Sequence, residues 1–187
     1  MDEFSYLSVF MGLILGLGIT KLMEGMGHLV QLRGRIVWYW PLKAWVLVLM
    51  VFHLQAWWAM YELRNISGWT FNSFLIVLIQ PILLFYLSVL ALPDVSAHER
   101  VDLKESFNEH ASLTFLIAAL MVFSSILKEY WIYHRLPQTT NLIFHCAFLA
   151  VFIVGSFRGG ERNYPWVVVF AALILSLYIT LLFTKLI

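Results

Sequence analysis

The chain has 187 residues, enough for one compact domain, and 61% of them are hydrophobic while 12% are charged, against roughly 45–50% and about 25% in soluble domains. A water-soluble fold of this size buries too modest a share of its chain to hide that much apolar surface, which makes lipid the solvent. The 12 Lys and Arg nearly cancel the 11 Asp and Glu, so bulk charge gives no basis for binding nucleic acid, and the single Cys146 excludes an intrachain disulfide framework or a multi-cysteine zinc site.

A helix crossing the hydrocarbon needs about 20 mostly apolar residues. Runs of that kind lie at 4–30, 37–61, 69–92, 111–131, 141–156 and 166–187. They predict an all-α integral membrane bundle of six transmembrane helices, with residues 1–187 forming a single transmembrane domain. Loops exposed to hydrocarbon are not viable, so each run is read as a full helix. Asp2 and Glu3, rather than a basic stretch, precede the first run, which argues against a cleaved signal peptide.

In the first helix Ser5, Ser8, Gly12 and Gly16 fall on one stripe. Helix association in lipid relies on close packing, and a small-xxx-small pattern lets another backbone approach. The partner is either a helix of the same subunit or a second copy, in which case the Gly12/Gly16 face builds a homo-oligomer. About a third of a turn away, Lys21, Glu24, His28 and Gln31 share a face. Ionisable groups facing lipid cost at least about 2.5 kcal/mol each, so these must turn to a cavity, to protein or to the headgroups. One reading is the lining of a polar pathway for protons or ions; the plainer one is a paired, snorkelling cluster at the interface.

The second and fifth helices carry His53 and His145, which alternating topology sets at similar depth. Facing imidazoles could ligate the iron of a haem b, serve a proton relay, or simply be hydrogen-bonded core histidines. The third helix contains Gln80-Pro81 near its midpoint. The proline frees the carbonyl four residues earlier and bends the helix, so Gln80 could join the polar pathway of Lys21, Glu24 and His28. Residues 94–109 read as a short juxtamembrane amphipathic helix. Its His98, Asp102, Glu105 and Glu109, spaced i, i+4, i+7 and i+11, share one face that could hold a divalent metal ion or be merely solvated.

Basic residues set orientation. One side of the bundle collects Arg33, Arg35, Lys43, Arg100, Lys104, Arg158 and Arg162, the other Arg64, Lys128, Arg135 and Lys185. This bias favours both termini outside the cytoplasm. Enzyme motifs are missing: no His-Glu-x-x-His, Gly-x-Ser-x-Gly or phosphate-binding glycine loop occurs, and Cys146 in its apolar run is a protonated thiol.

The opening Phe4-Ser5-Tyr6-Leu7-Ser8-Val9, the Leu15-Gly16-Leu17-Gly18-Ile19 run, Gln55-Ala56-Trp57-Trp58 and Val101-Asp102-Leu103 resemble a group of uncharacterised bacterial multi-pass inner-membrane proteins. The resemblance implies a bacterial inner membrane and no particular activity. The leading expectation is a non-enzymatic membrane protein that passes or transports a small ion or proton as a homo-oligomer. The alternatives are haem-b electron transfer through His53 and His145, and a structural or partner subunit of a larger membrane complex.

Overall fold

The computed structural model describes residues 3–93 and 100–182. It consists of six long helices: α1 (Glu3–Gln31), α2 (Trp40–Ala59), α3 (Phe71–Leu90), α4 (Leu103–Tyr133), α5 (Thr139–Phe157) and α6 (Tyr164–Leu182). All six are long and apolar enough to cross a membrane. At about 1.5 Å per residue, the 20 residues of α3 match the hydrocarbon thickness. The 29 of α1 and 31 of α4 overrun it.

The helices close into a ring in the order α1, α3, α4, α5, α6, α2, with α2 also touching α3 and α4 and so filling the interior. That interior is aromatic. Trp45 presents an edge to Phe115 at 5.3 Å and to Phe152 at 6.0 Å, and Phe52 meets Phe148 at 5.4 Å. Such tilted contacts suit the ring quadrupoles. Gly155 permits this packing, since a Cβ there would lie 2.9 Å from Phe115 and 3.0 Å from Val167. Outside, Phe71 and Phe157 are 72% and 75% exposed, along with many leucines. So much large apolar surface is untenable in water and ordinary in lipid.

Local signals fix the helix ends. Asp102 caps α4 by accepting from the N–H groups of Lys104 (2.8 Å) and Glu105 (3.4 Å), and Thr70 caps α3 through Ser73 N–H. The α4 cap changes the expectation for residues 94–109. The polar turns from Leu103 onward are not a separate amphipathic helix but continue straight into the span, while 94–99 lie outside the described residues. On this face a two-residue parallel ladder, β1 (Ile36–Val37) with β2 (Val101–Asp102), ties the α1–α2 connection to the start of α4. On the other face α2 runs into a 3-10 turn, Met60–Asn65, and Glu3 accepts from the N–H of Trp69 at 3.4 Å. The first face carries Arg33, Arg35 and Arg158, the second the N-terminus of α1.

Candidate functional site

The aromatic filling stops short of the face that carries the N-terminus. There a cavity of about 70 Å³ opens between α2, α3, α4, α5 and α6. At roughly 10–15 Å³ per water it has room for about five. Each helix supplies polar groups from one stripe. On α4, Ser125 and Lys128 lie one turn apart and Glu129 follows; on α5, Asn141 and His145 are i and i+4. Gln80 reaches in from α3, Tyr178 from α6, and Glu62 from the turn after α2. Phe52, Met121 and Phe148 form the apolar floor.

The groups are bonded to one another. His145 donates from Nδ1 to the carbonyl of Asn141 at 2.8 Å, so its Nε2 accepts from the hydroxyl of Ser125 at 3.1 Å. Tyr178 donates to Asn141 Oδ1 at 2.9 Å, and Asn141 Nδ2 donates to Glu129 at 3.3 Å. Lys128 donates to Gln80 Oε1 at 3.0 Å. This is a dense network for a membrane interior, where unbonded polar groups are costly. With Glu62, which lines the cavity outside this network, the shared space is surrounded by two carboxylates, a cation, an imidazole and several hydroxyl and amide groups.

His53 lies elsewhere. It is fully buried between α1, α2 and α3, donating from Nδ1 to Leu49 O at 2.8 Å and accepting at Nε2 from Ser88 at 3.2 Å. The ring rests on Gly18, where a Cβ would overlap it. The structure therefore does not set His53 and His145 face to face. Each has the same local arrangement, an i−4 carbonyl and a serine of the adjoining helix, on opposite sides of the bundle.

Of the expected polar pathway, only Gln80 reaches the cavity. Lys21, Glu24 and His28 are exposed on α1. Their depth follows from Gly25, which abuts Leu92 just beyond the end of α3, so this stretch stands level with the helix ends of the basic face. The three residues lie on the outer surface of α1, in its C-terminal half. Among the described residues nothing lies within 4 Å of a Cβ built at Gly12 or Gly16, and Ser8 and Gly12 border an open cleft whose other wall is Trp57, Trp58 and Tyr61. Asp102 is occupied as a cap, and Glu105 and Glu109 are exposed. His98 lies outside the described residues, and among the described residues no three His, Cys, Asp or Glu side chains gather as a metal site.

Sequence reasoning found Gln80 and His145 but missed Lys128, Glu129, Asn141 and Tyr178. The available signal was the adjacent Lys128-Glu129 pair inside an apolar helix, three residues after Ser125. The chain matches no protein-family model, no curated protein and no solved structure.

Proposed function

We propose that the protein passes a small ion or proton across a bacterial inner membrane, with the vestibule as the loading site. The observation that supports this reading is the charged lining that Lys128, Glu129 and Glu62 give to one cavity of the bundle. Ionisable groups around an internal cavity are expensive to keep in a membrane and are the usual mark of an ion or proton route. The Trp45–Phe115–Phe152 plug lies between the vestibule and the basic face. Passage therefore requires the helices to move around the site, as in alternating access, rather than an open pore. By the basic bias the vestibule opens away from the cytoplasm. Single cysteines introduced at Ser67 and Gly160 test this: a membrane-impermeant maleimide applied to intact spheroplasts labels only the first.

Purified protein in liposomes is expected to give flux of H⁺, Na⁺, K⁺ or Cl⁻ above empty vesicles, and Glu129→Gln is expected to abolish it. Absence of any such flux refutes the reading, and flux indifferent to Glu129→Gln refutes the vestibule as its route. The free space over Gly12 and Gly16, which at Gly12 is a cleft beside Trp57, Trp58 and Tyr61, further supports a second copy docking on α1 to form a homo-oligomer. In lipid nanodiscs, Gly12→Leu is expected to leave the subunit folded and reduce its oligomer. An unfolded subunit, or an unchanged mass, removes that contact.

A further inference from the structure

The vestibule contains charges of both signs that do not touch. Lys128 bonds the neutral amide oxygen of Gln80, and among the described residues no carboxylate oxygen comes within 4 Å of its ammonium. Yet Glu129 and Glu62 are the two carboxylates whose fields reach it, and all three line the same cavity. Coulomb attraction between such groups grows as water is excluded, so a lysine free to choose would move to Glu129. Here it stands back on an amide and leaves the carboxylates facing open space.

Several neutral donors of the lining are committed, whereas the Gln55 amide and the Tyr133 hydroxyl make no hydrogen bond among the described residues. The Tyr178 hydroxyl goes to Asn141, the Asn141 amide to Glu129, and the Ser125 hydroxyl to His145. By charge the remaining capacity around the cavity is still mainly acceptor: two carboxylates, Glu62 and Glu129 (the latter with one oxygen bonded to Asn141), stand against the single ammonium of Lys128, which already gives one N–H to Gln80. Counted with His145 neutral and the other three groups ionised, one lysine against two glutamates gives a formal charge of −1. One positive charge neutralises it. An anion would meet two carboxylates, and a divalent ion would want more oxygen charge than a site with no third acid supplies.

We infer that the vestibule binds a monovalent alkali-metal cation at Glu129, with Glu62 and the Gln80 amide oxygen beside it. Lys128 is a tethered competitor for the same place. Retracted onto Gln80 it leaves the site open, and swung to Glu129 it fills it. The inference rests on the vestibule being a loading site, and it adds the ion class and the role of the lysine.

Thermal unfolding of the full-length protein in detergent tests it, with LiCl, NaCl or KCl titrated at constant chloride and ionic strength against N-methylglucamine. The wild-type Tm is expected to rise saturably with at least one alkali cation, and Glu129→Gln is expected to give a flat line. Lys128→Gln removes the competitor and is expected to saturate at a concentration lower by about tenfold or more. Gln80→Leu releases the lysine toward Glu129, so it is expected to need more cation; it also serves if Lys128→Gln does not fold. A flat wild-type titration overturns the inference. So does a Lys128→Gln protein needing as much cation as wild type, or a Gln80→Leu protein unchanged from it. A flat titration with Glu129-dependent flux intact refutes only the cation class; a saturable titration without flux refutes only passage.

Discussion

Gly18→Ala is the sharpest test of the packing between α1 and the buried histidine. The added methyl would overlap Nε2 of His53, lie 2.9 Å from its Cδ2 and 3.2 Å from Ser88 Oγ. The ring cannot swing aside, because Leu49 O holds Nδ1 at 2.8 Å and Ser88 holds Nε2 at 3.2 Å. Either α1 retreats or the Ser88–His53 bond breaks. Overpacking costs about 1–3 kcal/mol. A buried group losing its hydrogen bond adds about 1–3 kcal/mol. Helix propensity returns about 1 kcal/mol for alanine over glycine. The expected net loss is thus roughly 1–5 kcal/mol, read by reversible unfolding in mixed micelles. Gly27→Ala, also in α1, is the control: with nothing within 4 Å it retains only the propensity gain and should be neutral or slightly stabilising. Adding His53→Ala to Gly18→Ala should cost less than the two single changes summed, since it removes the obstacle. A Gly18→Ala protein as stable as wild type, or a Gly27→Ala protein equally impaired, refutes the reasoning.

Other substitutions probe the remaining contacts. Gly155→Ala, which sets a methyl against Phe115 and Val167, should destabilise by about 1–3 kcal/mol in the same assay. Asp102→Ala removes the cap of α4 and should cost about 1 kcal/mol, while Asp102→Asn keeps most of it. Tyr178→Phe leaves Asn141 Oδ1 without this donor at 2.9 Å; about 1 kcal/mol of stability should go, with a fall in vestibule-dependent flux. Tyr39→Phe should run the other way. Its hydroxyl is buried with no hydrogen-bond partner among the described residues, so removing it should leave stability unchanged or improved while the ring keeps its 5.8 Å contact with Phe107.

The helices were legible because lipid imposes a simple rule on sequence: a span is an apolar run of sufficient length. The run at 141–156, the shortest, is α5 at Thr139–Phe157, and the run at 4–30 is α1 at Glu3–Gln31. The error at α4 has a clear origin. Residues 103–110 are polar, and hydropathy cannot distinguish a separate surface helix from the first turns of a span that overruns the bilayer. The decisive signal was the cap, Asp102 followed three residues later by Glu105, a helix-start pattern independent of hydropathy.

The site was less legible because the same rule hides it. Lys21, Glu24 and His28 attract attention as a dense polar patch on one helix, yet density on one helix is what an interface tolerates: several long side chains reach the headgroups from neighbouring turns. A cavity inside a bundle is built differently. Each helix can spare only one or two polar residues before it ceases to be a span, so the lining is distributed, here over Glu62, Gln80, Lys128, Glu129, His145 and Tyr178. No window of sequence contains more than a fraction of it. Lys128 counted in the basic bias as an interfacial residue, whereas its ammonium points inward to Gln80 across two helices. A charged pair followed by Tyr130 and Trp131, as Lys128 and Glu129 are, invites the interfacial reading because the aromatic belt lies next to it. What separates the two outcomes is the facing residue, and that is set by tertiary packing: Gln80 lies on α3, which packs along α4, and the Pro81 beside it frees a carbonyl on the same helix.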